Sequence, residues 1–288
     1  MLINGQTRLY ILIGNPVAHS LSPLLYNAGF AACRMNAIYV ACPVEPEHVG
    51  EAIEGLRALN IAGANVTSPH KEAVMAYLDQ ISSEAALVRS VNTIINRAGK
   101  LVGETTDGRG LLADLGERAP SVKAGDPVLL IGAGGAARAV AFALVQNGFH
   151  ELYIANRTIE RGRALADILQ RSVPEARCRV IGLGQEELRR VLAACRLTVY
   201  CLTVDPEPVK AVLQDPDLSL AEKVFYDLRY SPAVSETARL FRERGGTALN
   251  GRGMLYHQAV LAFELFTKQK APASEMLTAY RKAHEREI

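Results

Sequence analysis

The chain has 288 residues, of which 49% are hydrophobic and 22% charged, and its formal net charge is +2. These proportions fit one large or two ordinary globular domains and exclude a disordered chain. With no Lys/Arg block and no interleaved aromatic run, nothing in the charge pattern points to nucleic acid. No apolar run is long enough to cross a bilayer, and Met1-Leu2-Ile3-Asn4-Gly5 lacks the basic and apolar regions of a signal peptide.

Cys33, Cys42, Cys178, Cys195 and Cys201 form no C-x-x-C pair and read as reduced core thiols, so the protein is expected in the cytoplasm. The six histidines are dispersed without metal-ligand spacing, and no metal site is expected.

In chain order, 8–14 reads as a strand, 21–35 as a helix, 38–42 as a strand, 47–58 as a helix and 64–66 as a strand. Ser68-Pro69-His70 is turn chemistry, and Glu72-Ala73-Val74-Met75 resembles a helix start. Lys71 then sits at the positive end of the coming helix dipole, where an acid is usually preferred. Strands follow at 91–96 and 101–105, joined by the turn Arg97-Ala98-Gly99-Lys100.

After 120–126 a second series begins, with strands at 128–131, 151–155, 179–181, 197–201, 224–227 and 247–249. Helices at 254–267 and 273–287 close the chain and can return to the first domain. The alternation implies parallel or mostly parallel sheets with helices on both faces, in two α/β lobes with a cleft between them.

The stretch VLLIGAGGAARAV places Gly132, Ala133, Gly134, Gly135 and Ala136 between an apolar strand and a helix. Gly132 allows the tight turn, Gly134 lets a pyrophosphate approach the backbone, and Ala137 permits close helix–strand packing. This context reads as a dinucleotide site. An NAD site ordinarily ends its next strand with Asp or Glu, but here Asn156-Arg157-Thr158 follows, with Arg161 one turn on. A cation and a hydroxyl at that place suit a 2′-phosphate, so NADP is expected, with NAD as the alternative.

Several stretches together resemble the shikimate dehydrogenase family. GNPVAHSLSPLLYN is similar to its N-terminal signature, and GANVTSPHK to its N-V-T-x-P-x-K motif. SVNTI, GETTDGRG, YDLRYSP and NGRGMLYHQAV follow in matching order from Gly14 to Gln258. The resemblance implies a Rossmann-like NADP-binding domain, 107–251, and an α/β substrate-binding domain, 1–106, completed by 252–288. It implies that Lys71 and Asp107 are the catalytic pair. Ser20, Ser22, Thr67, Asn92, Asp107, Tyr230 and Gln258 would hold a hydroxylated alicyclic carboxylate. Thr203, Leu228 and Gly251 would join the dinucleotide set.

The implied reaction is reversible NADPH-dependent reduction of 3-dehydroshikimate to shikimate. The rival readings are a quinate/shikimate or aminoshikimate dehydrogenase using either dinucleotide, and a non-catalytic sensor of the metabolite or dinucleotide. The oligomeric state stays open, a homodimer included.

The pattern departs from the family at three places. Tyr26 stands where His is usual, and Thr105 where Asn is usual. The segment CLTVDPEPV replaces an N-A-T-P-x-G-M-like loop; it keeps Thr203, lacks the Gly-Met pair, and adds Asp205 and Glu207. Such a loop is a feature a specialised paralogue would carry.

Overall fold

The structure, a computed structural model, describes residues 3–285. The chain divides into two compact units, one running up to Gly110 and resumed from Tyr256, the other Leu111–Leu255.

The first unit contains β1 (Arg8–Gly14), α1 (Ser22–Ala32), β2 (Ala37–Pro43), α2 (Val49–Ala58) and β3 (Gly63–Val66). It continues through β4 (Gln80–Ile81), α3 (Ser83–Val88), β5 (Thr93–Arg97) and β6 (Lys100–Glu104). The strands lie in the order β2-β1-β3-β5-β6-β4. β1 is parallel to β2 and β3, whereas β5 is antiparallel to both β3 and β6. The antiparallel pair follows from the tight Ala98-Gly99 connection, since a parallel crossover needs a dozen or more residues.

The expected helix at Glu72 is instead a five-residue 3₁₀ turn, Ala73–Tyr77. The chain must reach β4 and pair it with β6 within a few residues, which leaves space for little more than one turn.

Helix α4 (Asp107–Arg118) leads onward from β6. Its three glycines, Gly108, Gly110 and Gly116, hide it from a propensity reading. The second unit then alternates β7 (Val128–Ile131), α5 (Gly135–Gln146), β8 (Glu151–Ala155), α6 (Ile159–Ser172), β9 (Arg177–Ile181) and α7 (Gln185–Ala194). β10 (Leu197–Tyr200), α8 (Glu207–Gln214), β11 (Val224–Asp227), α9 (Glu236–Glu243) and β12 (Thr247–Asn250) complete it. Helices α10 (Arg252–Thr267) and α11 (Ala273–Glu285) end the described chain. Positions 286 and 287 of the expected last helix lie outside the described residues.

All six strands of the second sheet are parallel, in the order β12-β11-β10-β7-β8-β9. This is the doubly wound arrangement in which the strand order reverses beside the first strand, here between β7 and β10. Side chains alternate across the sheet. Val128 and Leu130 enter one core with Val140, Leu144 and Leu165, while Leu129 and Ile131 enter another with Leu188, Val191 and Phe241. Burial on both faces explains why these strands read as continuous apolar runs.

The first sheet shows the same alternation. Ile11 and Ile13 pack with Ile53 and Leu56, whereas Tyr10 meets Phe30 at 4.9 Å and Phe266 at 5.2 Å. Tyr26 is fully buried in that aromatic layer, stacked on Tyr39 at 4.3 Å. Its departure from the family's His is therefore part of core packing.

None of the five cysteines is bonded to another. Burial pushes the Cys178 thiol up to about 11 and Cys195 up to about 12. At pH 8 a thiol with a pKa near 11 is only about one part in a thousand thiolate. Alkylation of the native protein at that pH should therefore spare both residues until denaturant is added; labelling at the rate of a free peptide thiol would contradict their burial.

Candidate active site

In the first unit the chain leaves β3 at Val66, and the Thr67 amide donates to the Ile13 carbonyl at 2.9 Å. His70, 1% exposed, ties the following turn down through a 2.7 Å bond between its Nε2 and the Val44 carbonyl. The Val91 amide donates to the Lys71 carbonyl at 2.9 Å. With its backbone fixed, Lys71 Nζ donates to Asp107 Oδ2 at 2.6 Å, the two side chains being only 16% and 6% exposed. The residue that looked out of place at a helix start thus faces the first residue of another helix, α4. The amino end of α4 favours an anionic side chain at Asp107.

Asn92 holds the carboxylate from the other side. Its Nδ2 lies 2.9 Å from both Asp107 Oδ1 and Thr106 Oγ1, and 3.3 Å from Gln258 Oε1. Its Oδ1 accepts from the Thr106 amide at 2.9 Å and from the Thr93 hydroxyl at 3.0 Å. Asn92, Thr106, Asp107 and Gln258 are all buried. Polar groups at such depth are costly unless bonded, so the cluster is preorganised by its own hydrogen bonds.

Two members escaped the sequence reading. Thr106 was visible only as the neighbour of Asp107. Asn65 braces Asn92 by donating to its carbonyl at 3.1 Å while accepting from the Tyr39 hydroxyl at 2.8 Å. Thr105 is fully buried beside this cluster.

Ser20 and Ser22 stand at the amino end of α1. Ser20 Oγ accepts from the Ser22 amide at 3.2 Å, so it does part of a cap's work, but no side chain caps the helix at Leu21. Two hydroxyls at a helix amino end suit a carboxylate ligand. Thr67 is half-buried.

In the second unit Gly132 ends β7 with φ +114°, in the left-handed region that favours glycine. A side chain there would also meet Leu202 at 3.1 Å and Cys201 at 3.3 Å. Ala133 is buried, and Gly134 faces open space, with nothing within 4 Å of where a Cβ would stand. Gly135 and Ala136 open α5, whose amino end has no side-chain cap. Unblocked backbone at a helix amino end, at the sheet's switch point, is a fitting cradle for a pyrophosphate.

Past β8, Asn156 Nδ2 donates to the Thr158 carbonyl at 2.7 Å, and Arg157, Thr158 and Arg161 are exposed. Thr158 occupies the N-cap position of α6, yet its hydroxyl makes no cap bond. The donor set present at the end of β8 is cationic and hydroxylic, which fits a 2′-phosphate better than a ribose hydroxyl.

Thr203 is exposed in the loop after β10, and Leu228 follows β11 half-buried. Gly251 closes against Leu228: a Cβ there would lie 2.1 Å from the Leu228 carbonyl oxygen, while its amide donates to the Arg229 carbonyl at 2.9 Å. Gly251 thus has a packing reason of its own. Gly251→Ala should displace the 228–230 segment and cost roughly 1–3 kcal/mol, the usual range for overpacking; an unchanged melting temperature would contradict this. Tyr230 also belongs to this unit, and burial raises its phenol above the ordinary tyrosine value.

Three family models match the chain. The shikimate dehydrogenase substrate-binding domain matches residues 12–94, the shikimate/quinate 5-dehydrogenase domain 114–192, and the shikimate 5′-dehydrogenase C-terminal domain 251–279. A shikimate dehydrogenase (NADP(+)) of Symbiobacterium thermophilum is 44% identical, over 96% of this chain and 94% of its own. The crystal structure of shikimate 5-dehydrogenase from Thermus thermophilus in complex with NADP(H) and shikimate superposes with a TM-score of 0.80 at 32% identity, over 96% and 99% of the two chains. Quinate dehydrogenase from Corynebacterium glutamicum, in complex with NAD, reaches 0.83 at 27% identity, over 96% and 99%. The chain belongs to the shikimate dehydrogenase family.

Proposed function

We propose that this protein is an NADP-dependent shikimate dehydrogenase, interconverting 3-dehydroshikimate and shikimate in the pathway to the aromatic amino acids. The observation that carries the reading is the Lys71–Asp107 pair, held at 2.6 Å and braced by Asn92. The first unit binds the substrate and supplies the acid–base pair; the second binds the dinucleotide.

When bound, the dinucleotide supplies or accepts the hydride. As the ketone carbon gains hydride, negative charge grows on its oxygen. The Lys71 ammonium stabilises that charge and delivers the proton that completes the hydroxyl. Asp107 Oδ2 orients the ammonium, and Asn92 keeps Asp107 in place through Oδ1. Ser20 and Ser22 receive the substrate carboxylate, and Thr67, Asn92 and Gln258 receive its hydroxyls. A wrong substrate would leave such donors unpaired, which is the source of discrimination.

No helix among the described residues is long and apolar enough to cross a membrane. We place the enzyme in the cytoplasm, with a small hydroxylated alicyclic acid as its partner and no role for nucleic acid.

The second reading, a quinate dehydrogenase using NAD, has the Corynebacterium neighbour in its favour. Against it stands Asn156-Arg157-Thr158 where an NAD site would place an acid. The sensor reading does not explain a half-buried lysine paired with a buried carboxylate. Incubating the protein with shikimate and NADP⁺ should yield 3-dehydroshikimate, recognised by mass spectrometry as the loss of two hydrogens. Unchanged shikimate after long incubation with folded protein would overturn the assignment.

A further inference from the structure

The loop that departs from the family pattern carries its own anchor. Asp205 is not an unpaired charge: its Oδ1 accepts from Arg229 NH1 at 2.8 Å, from the Tyr200 hydroxyl at 3.0 Å and from Thr237 Oγ1 at 3.3 Å. The Tyr200 hydroxyl is also 2.8 Å from the Val204 carbonyl.

Arg229 is engaged on every edge. Its Nε donates to Asp227 Oδ1 at 2.9 Å, and its NH2 to Asp227 Oδ2 at 2.8 Å and Thr237 Oγ1 at 2.9 Å. Its guanidinium carbon lies 4.8 Å from the centre of the Tyr200 ring. Asp227, 2% exposed, also accepts from the Ser235 hydroxyl at 2.6 Å. One guanidinium thus joins two carboxylates and ties three segments: the loop after β10, the segment after β11, and the start of α9. The planar fork of arginine makes such paired contacts, which a lysine cannot reproduce.

We propose that Asp205 is a positioning residue for the dinucleotide: acting through Arg229 and Tyr200, it fixes the 201–206 loop so that Thr203 is held beside the Gly132 turn. The loop already packs there, since Cys201 and Leu202 are the groups a Gly132 side chain would strike. With Thr203 matched to the family pattern, Asp205 takes the variable position just before the expected Gly-Met pair, which Pro206 and Glu207 replace. This inference rests on the reading of Thr203 and the Gly132 turn as dinucleotide contacts.

Asp205→Ala frees the loop but leaves the Arg229–Asp227 pair, and with it the 228–230 segment, in place. Calorimetric titration of the full chain with NADP⁺ should show a Kd raised about tenfold, the loss of one charge-assisted bond. The Kd for shikimate, measured without dinucleotide, should change less than about twofold. Asp205→Asn keeps an acceptor for Arg229 and Tyr200 and should recover most of the affinity. Arg229→Met should weaken dinucleotide binding further; if it fails to fold, the two Asp205 variants decide alone.

NADP⁺ affinity in Asp205→Ala equal to that of the unaltered chain would overturn the inference. An equal loss of both ligands, unrecovered by Asp205→Asn and accompanied by a lowered melting temperature, would also overturn it by showing a merely structural role. Failure of the unaltered chain to bind NADP⁺ would instead strike the functional reading beneath it.

Discussion

Replacing Lys71 with alanine is expected to lower kcat by about 10²–10⁴-fold, the contribution of a positioned general acid. The KM for shikimate should move far less, because the carboxylate and hydroxyl contacts are assigned to other side chains. The lysine does more than carry charge. Its backbone is fixed by Val91 and its ammonium by Asp107, so the proton donor is aimed before substrate arrives. Alanine leaves Asp107 almost buried without its cation, and some stability should be lost with the activity. A melting curve separates the two effects, and Lys71→Met, which retains most of the apolar stem, should be as inactive while better packed. Near-normal kcat in either folded variant would remove Lys71 from the acid–base role.

Arg157→Ala should raise the KM for NADP⁺ by roughly 10–100-fold while leaving that for NAD⁺ nearly unchanged, since hydrogen bonds to a charged group are worth about 1.5–3 kcal/mol. Arg157 is exposed, so its removal should not disturb the fold. Raised salt should weaken NADP⁺ binding by the unaltered chain more than by the variant, because the 2′-phosphate contact is screened. Equal weakening toward both dinucleotides would show that Arg157 does not read the 2′-phosphate. Thr158 and Arg161 would then be the next residues to replace.

The second unit was the more legible half in sequence. Its strands are short apolar runs buried on both faces, and its glycine turn follows directly from the strand that precedes it. The first unit hid more. Its β4 has only two residues, and helix α4, which leads out of it into the second unit, is masked by three glycines. The putting-together of the candidate site was hidden for a different reason: Asn92 and Gln258 are 166 positions apart, and only the fold brings them within hydrogen-bonding distance. Lys71 and Asp107 could be named as a pair from the resemblance, with Asp107 orienting the lysine; the fold adds the 2.6 Å contact and the Asn92 brace behind it. Asp205 read as added negative charge beside the nicotinamide, because nothing in CLTVDPEPV reveals that Arg229, from another strand end, neutralises it. Pairings between distant loops leave no periodic signal in either segment.

The central claim is tested most directly by initial rates of reduced-nicotinamide formation with shikimate, quinate and aminoshikimate, each paired with NADP⁺ and with NAD⁺. The account predicts the highest kcat/KM for shikimate with NADP⁺. Faster turnover of quinate with NAD⁺, or no turnover of any pair by folded protein, would contradict it.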